Sequence, residues 1–323
     1  MIKGKKVLIT GGAGFIGTHV AERLVADNEI TLFDIDLNGP LRYSSLATNP
    51  AVRQVDGDVR DYDAVASEVA RCDVLLHFAS ILGVKKVIDN PRPTIDTILT
   101  GTRNVLEAAS KNKKIERLVN ISTSEVYGNI MDATEGAPAS VGTGNDARLC
   151  YASAKLMGEH LVWAYHRDFG IPTVIIRPFN IFGPRRIASN AVGVFIVKAL
   201  ANSDVTLHGD GSQLRSWCYV DDFTDGIVAS IASPKAAGQD FNLGNPVTAV
   251  TIYDLAERII RLSGSKSRLI TTPHTFSDIG VRAPNSSKAR ELLDYNPKFD
   301  MDRGLLPTIE WHRRHLEDFR GWA

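Results

Sequence analysis

Apolar and polar positions along the first half of the chain follow a repeated rhythm, a short apolar run and then a stretch with apolar residues at helical spacing. Lys6–Thr10 (KVLIT) is the first run, Phe15–Ala26 the first helical stretch and Ile30–Asp34 (ITLFD) the second run. Val52–Val55, Val74–Phe78, Arg117–Ile121 and Thr173–Ile176 read as further strands, with helices at Tyr62–Arg71, Thr94–Ser110 and Tyr151–Phe169 between them. Short buried strands separated by helices predict an α/β chain whose doubly wound parallel sheet is covered by helices on both faces. Right-handed crossovers then line up the carboxyl ends of the strands along one edge, where an open sheet of this kind binds its ligand.

Beyond Arg177 the rhythm gives way to turn-rich segments, FNIFGPRR and HGDGSQLRSW, before FTDGIVASIA and TIYDLAERIIRL again read as helices. We therefore expect a first domain over 1–177 and a smaller α/β domain over 178–323 that interleaves with it. The length fits, since 323 residues exceed the usual single-domain size of roughly 100–150. No apolar run approaches the ~18 residues a membrane span needs, and the basic start MIKGKKVLIT holds too few apolar residues for a signal peptide. Lys and Arg (37) balance Asp and Glu (37), so no bulk field draws nucleic acid or acidic lipid, and any anion must be caught locally. Cys72, Cys150 and Cys218 are widely spaced and odd in number, which suits neither a disulfide framework nor a zinc pair. His77, His160, His166 and His208 show no metal-like spacing, and no metal is expected. These features point to a cytoplasmic protein without membrane or nucleic-acid partners.

Residues Gly11 to Gly17 read GGAGFIG, between a predicted strand and a predicted helix. Gly12, Gly14 and Gly17 fit GxGxxG, while Gly11, Gly14 and Gly17 fit GxxGxxG. Glycine is required where the backbone turns sharply and where it must approach a pyrophosphate without a Cβ; the phosphate then sits on the helix N-terminus. Asp34 closes the next strand, where a carboxylate can accept both ribose hydroxyls. A carboxylate there repels a 2′-phosphate, and no arginine follows in DIDLN, so the expected cofactor is NAD rather than NADP. Asp58 in GDVRD follows another strand, either as an adenine contact or as a turn acid.

Tyr151 and Lys155 lie four apart at the start of a predicted helix and share one face. A cation there lowers the phenol's pKa, so that a tyrosinate can act as a base near neutral pH. Thr123, Ser124 and Glu125 of ISTSEVYG follow the apolar strand ERLVNI. A hydroxyl at that strand end can hydrogen-bond a sugar oxygen while Tyr151 takes its proton.

With GGAGFIG, HFAS at His77–Ser80, STSEVYG, YASAK, RPFNIFGP, GDGSQLRSWCYVDD and FNLGNP all present, the chain resembles the extended short-chain dehydrogenase/reductase superfamily over nearly its whole length. Within it the chain is most similar to the UDP-glucuronate decarboxylase group, down to the Arg282-Ala-Pro284 segment. The resemblance implies a Rossmann-type sheet with a C-terminal nucleotide-sugar-binding domain. It implies Thr123, Tyr151 and Lys155 as the triad, with Glu125 and Ser124 beside it. NAD contacts are implied at Gly11, Gly14, Phe15, Ile16, Gly17, Asp34, Asp58, Val59, Phe78, Ala79, Ser80 and Pro178 besides Tyr151 and Lys155. Nucleotide-sugar contacts, with a UDP-sugar favoured, are implied at Asn180, Arg185, Arg186, Arg215 and Arg282. A homodimer through the helix after Lys155 is also implied, with Trp163 and Tyr165 in a core or in a two-helix seam. Ile98 departs from the asparagine that family members often carry before GTRNVL.

The residues beside the triad bear on the reaction. Glu125 resembles the glutamate of dehydratases and uronate decarboxylases. Ser124 stands where dTDP-glucose dehydratases carry an aspartic acid, and serine is a much poorer acid; GDP-mannose dehydratases, however, pair serine or threonine with glutamate. The loop after HFAS runs ILGVKKVIDNP, with Lys85 and Lys86, and lacks the proline-rich stretch of UDP-xylose synthases. The expected reaction is decarboxylation of UDP-glucuronate after oxidation at C4. A C4 epimerase, a GDP-mannose-type 4,6-dehydratase and a non-catalytic NAD sensor are the alternatives.

Overall fold

The computed structural model describes residues 2–187, 190–273 and 279–322. Its centre is a sheet of seven parallel strands: β1 (Lys6–Thr10), β2 (Glu29–Asp34), β3 (Val52–Asp56), β4 (Val74–His77), β5 (Arg117–Ile121), β6 (Thr173–Pro178) and β7 (Gln239–Leu243), in the order β7-β6-β5-β4-β1-β2-β3. Successive side chains point to opposite faces of a strand, and both faces here are covered. Thus Val7, Ile9, Val74, Leu76, Val119, Ile121, Val174 and Ile176 enter one core. Leu8, Leu75, Leu118 and Ile175, the residues between them, enter the other. Helices Tyr62–Val69, Pro91–Lys111 and Cys150–Phe169 cover the second face, while Phe15–Leu24 and Val220–Ala232 cover the first.

The strand order reverses between β1 and β4, and the carboxyl ends of these two strands open the crevice where such sheets bind ligands. The expected strands all form, with ends shifted by one or two residues: Phe78 lies just past β4, and β6 runs on to Pro178. The long helices begin at Pro91 and Cys150 rather than at Thr94 and Tyr151. Gly170, in the left-handed conformation (φ 67°), stops the second of them.

The two halves of the chain exchange strands. β7, from the second half, pairs with β6 and completes the main sheet. Conversely Ile130–Ala133, from the first half, edges a four-stranded sheet with Val281–Pro284, Leu214–Ser216 and Ala249–Thr251. Ala133 of that smaller sheet packs with Val126, Tyr127 and Phe179, which follow β5 and β6 in the chain. No helix among the described residues is long and apolar enough to cross a membrane.

Candidate active site

The turn after β1 is set by backbone contact. Gly11 has φ +68°, its N–H donates to the Phe33 carbonyl at 2.9 Å, and a Cβ on it would lie 2.7 Å from the Ala79 nitrogen. A Cβ on Gly17 would lie 2.5 Å from the Gly11 carbonyl oxygen. These two positions pack the turn, the helix and the loop after β4 together. Helix Phe15–Leu24 starts there with neither a side-chain cap nor an acid in its first turn, so its N-terminal N–H groups suit an anion.

Asp34, at the end of β2, accepts from the N–H of Ala13 (3.0 Å) and of Asp36 (3.2 Å). Burial pushes its pKa up, and these hydrogen bonds work against the rise. Asp34 stands at one end of a cleft of about 790 Å³, and Tyr151, Lys155 and Arg186 stand at the other. Phe15, Ile16, Asp58, Val59, Phe78, Ala79 and Ser80 line it as well; Pro178, named with them from the sequence, does not. Sequence reasoning missed Arg60. Its guanidinium reaches the same cleft and grips Asp58 through Nε at 2.9 Å, and that bond holds the Asp58 carboxyl below its ordinary pKa. The local segment DIDLN therefore does not carry all the charge near the ribose site. Of the two loop lysines, Lys85 pairs with Asp89 at 2.7 Å and Lys86 lines the cleft.

At the other end, Tyr151 sits in the first turn of helix Cys150–Phe169, and Thr123 caps the short 3₁₀ turn Ser124–Tyr127. The Thr123 hydroxyl faces the Tyr151 phenol and favours its ionised form. Burial pushes the phenol's pKa well above its ordinary value and the Glu125 carboxylate adds to the rise, while Thr123, Arg186 and Arg282 pull it down. Lys155 is buried and its ammonium donates to the Ile121 carbonyl at 2.8 Å. Burial lowers the Lys155 pKa to about 8, with Glu159 opposing the fall. Burial outweighs the cations here, so the phenol's pKa lies above its ordinary value and not below it as the Tyr151–Lys155 spacing suggests; Arg186 and Arg282, remote in sequence, pull it down. Ser124 is buried beside Thr123, and Ile98, where the asparagine was expected, is a core residue.

The arginines expected around a nucleotide sugar part company. Arg185 (φ 68°) makes a bidentate ion pair with Glu22, 2.6 Å at each contact, on the helix that begins at the glycine turn. Burial works against the charge on Glu22, but Arg185 and Ser44 together more than offset it and hold its pKa down. Arg186 lies over the Phe15 ring, 5.2 Å from its centroid, and lines the cleft. Arg215 donates to the carbonyls of Leu214 (3.0 Å) and Gly280 (3.2 Å) and pairs in register with Arg282. Arg282 approaches Asn180 Oδ1 at 3.3 Å and Glu125 Oε1 at 3.7 Å, and the buried Arg148 approaches Glu125 Oε2 at 3.9 Å. Arg148, unremarked in the sequence, thus joins Glu125 and Arg282 beside the phenol. Arg177 of the RPFN motif is tied into a buried network with Glu159, Tyr127 and Asp240.

Trp163 and Tyr165 pack against the core on the second face, and the Tyr165 hydroxyl meets Glu107 at 3.1 Å. Among the described residues no group of three or more metal-ligating side chains occurs, and all three cysteines are free. Cys150 is half-buried, and burial raises its pKa.

The residues present fit a dinucleotide. The glycine turn leaves no room for a Cβ, the helix N-terminus is open for a diphosphate, Asp34 faces the cleft as a ribose acceptor, and the cleft ends on a phenol and a buried ammonium. Residues 7–244 match the model of the NAD dependent epimerase/dehydratase family. The chain is 35% identical over 325 residues to the UDP-N-acetyl-alpha-D-glucosaminuronate decarboxylase of Bacillus cytotoxicus, covering 97% of this chain and 99% of that protein. It is 29% identical to the UDP-glucuronate 4-epimerase of Thermodesulfobacterium geofontis, over 96% of this chain and 97% of that protein. The structure superposes on the UDP-glucuronic acid 4-epimerase of Bacillus cereus, solved with UDP-glucuronic acid and NAD, with a TM-score of 0.88 at 28% identity over 96% of this chain and 99% of that one. The turn, the acid and the triad therefore stand in a family setting, and the chain belongs to the NAD dependent epimerase/dehydratase family, with NAD as its cofactor.

Proposed function

We propose that the chain decarboxylates a UDP-linked uronic acid after transient oxidation of the sugar at C4. NAD, when bound, supplies the acceptor for the C4 hydride and the donor that can return it. Tyr151 takes the proton of the C4 hydroxyl as the tyrosinate, the form that Arg186 and Arg282 favour against burial, and Thr123 holds the same oxygen through its own hydroxyl. Lys155, turned to Ile121, fixes the helix that presents Tyr151. With C4 a ketone, the C6 carboxylate is β to a carbonyl and leaves as carbon dioxide; the electron pair moves to O4, where Tyr151 and Thr123 stabilise the enolate.

The observation that carries this reading is the placement of Glu125. Its carboxylate acts on the charge of the Tyr151 phenol and approaches the buried guanidinium groups of Arg148 (3.9 Å) and Arg282 (3.7 Å). An acid and two cations close to the phenol suit a reaction at the C5 and C6 atoms of a sugar held by its C4 hydroxyl. Guanidinium groups suit a carboxylate substrate. The decarboxylase relative at 35% identity supports the same choice.

Glu125→Gln tests it in protein incubated with UDP-glucuronate or UDP-N-acetylglucosaminuronate. Cofactor reduction, followed by absorbance, is expected to persist, while carbon dioxide release slows about hundredfold. Equal loss of both steps would return Glu125 to a structural role.

A further inference from the structure

The helix face that carries Tyr151 and Lys155 continues to Glu159, four residues further on and buried. These three side chains meet three consecutive residues at the end of β5. Tyr151 reaches Thr123, the Lys155 ammonium donates to the Ile121 carbonyl at 2.8 Å, and Glu159 Oε1 accepts from the Ser122 hydroxyl. From β6, Arg177 closes a bidentate ion pair on Glu159, Nε to Oε1 at 2.8 Å and Nη2 to Oε2 at 2.5 Å. Arg177 Nη1 continues to the Tyr127 hydroxyl (2.7 Å) and to Asp240 (2.9 Å), and Lys288 meets Asp240 at 2.6 Å. Glu159 is buried behind Lys155 and is not among the residues that line the dinucleotide cleft.

A buried, paired carboxylate of this kind does not stabilise a fold more than apolar packing would. Its place in the ladder gives it a different use. We propose that Glu159 is a positioning residue acting through Lys155: it registers the helix against the end of β5 and sets its carboxylate one helical turn from the Lys155 ammonium at the floor of the NAD cleft. This rests on Lys155 belonging to the cofactor site and not on which sugar reaction follows.

The groups facing Lys155 are few. His77 comes from β4, between Thr10 and Thr102, and burial keeps it neutral; Tyr151 and Glu159 share the helix, and Arg177 lies behind Glu159. Burial favours the neutral amine and Glu159 favours the ammonium. A charged donor holds a cofactor oxygen more strongly than a neutral one.

NAD affinity measured by calorimetry across the alkaline range tests the proposal without turnover. In the unaltered protein the affinity is expected to fall as Lys155 deprotonates near pH 8. In Glu159→Gln that fall is expected about one pH unit lower, and Glu159→Asp, which keeps the charge, returns it toward its original place. Lys155→Met removes the fall altogether. Should Glu159→Gln fail to fold because Arg177 loses its partner, the double variant Glu159→Gln/Arg177→Gln removes both charges of the pair and is expected to show the same displaced fall. A fall unmoved in the folded variant, or one that persists in Lys155→Met, would overturn the proposal.

Discussion

The glycine turn and the arginine-rich region face the same cleft but are built on different principles. At the turn, the functional feature is backbone. Gly11 and Gly17 are required because any Cβ would strike main-chain atoms within seven residues or on the adjoining strand end, and Asp34 follows one strand later. In the arginine region the functional feature is a long charged side chain whose partner is supplied from far along the chain. Arg185 and Arg186 are neighbours in sequence, yet one is locked to Glu22 and the other lies over Phe15 in the cleft. A backbone site declares itself through spacing, whereas a side-chain site depends on which remote acid arrives first.

Substitutions can break this comparison at several points. The largest effect is expected at the catalytic end: Tyr151→Phe should lower kcat by about 10²–10⁴-fold while NAD affinity stays within about threefold, as calorimetry would show. Retained turnover would remove Tyr151 from the base role. Gly17→Ala, which forces a Cβ to within 2.5 Å of the Gly11 oxygen, should lower NAD affinity about hundredfold and melt the protein earlier, by about 1–3 kcal/mol of stability.

The paired arginines sharpen the contrast. Arg185→Met should cost about 2 kcal/mol in denaturant unfolding, because it leaves the partly exposed Glu22 without its cation, and should change KM little. Arg186→Met should leave unfolding nearly unchanged and raise KM for the nucleotide sugar about tenfold. If the two variants exchange these signatures, the division between a structural and a ligand-facing arginine is wrong.

The smallest expected effect is a pH dependence seated in the core under the cleft. Burial lowers the His77 pKa to about 3 and the His19 pKa to about 4, so both are neutral in the fold, whereas in the unfolded chain each titrates near 6.5. The unfolded chain binds the extra protons between those values. The contribution of each histidine is therefore complete above pH 6.5 and is lost as the pH falls toward 4 and 3. Between pH 6.5 and 5 this amounts to about 1–2 kcal/mol per histidine. Unfolding of His77→Gln compared with the unaltered protein should show a flatter dependence in this window; an identical slope would contradict the assignment.

The sheet was legible because strand and helix periods are local properties, and Lys6–Thr10, Phe15–Leu24 and β2 form close to where their patterns place them. The glycine turn, Asp34 and the Tyr151–Lys155 pair were legible for the same reason. Arg60 on Asp58 lay within reach of the sequence, two residues apart, but only the fold shows that both face the ribose end of the cleft. Arg148 carried no local signal, since it meets Glu125 only because the segment before helix Cys150–Phe169 comes close to the turn that follows β5. Interleaving of the two parts was expected from the sequence, but which strands cross, β7 and Ile130–Ala133, was hidden, because pairing partners lie more than 60 residues apart. Arg177 opens the RPFNIFGP motif, and only the fold shows it buried in ion pairs with Glu159 and Asp240.

The central claim is that this cleft removes carbon dioxide from a UDP-linked uronic acid. Mass spectrometry of the product formed from UDP-glucuronate and from UDP-N-acetylglucosaminuronate in the presence of NAD tests it directly. The account predicts a nucleotide sugar lighter by one carbon dioxide from at least one of the two. A product of unchanged mass with C4 inverted, or one lighter by one water, would contradict it.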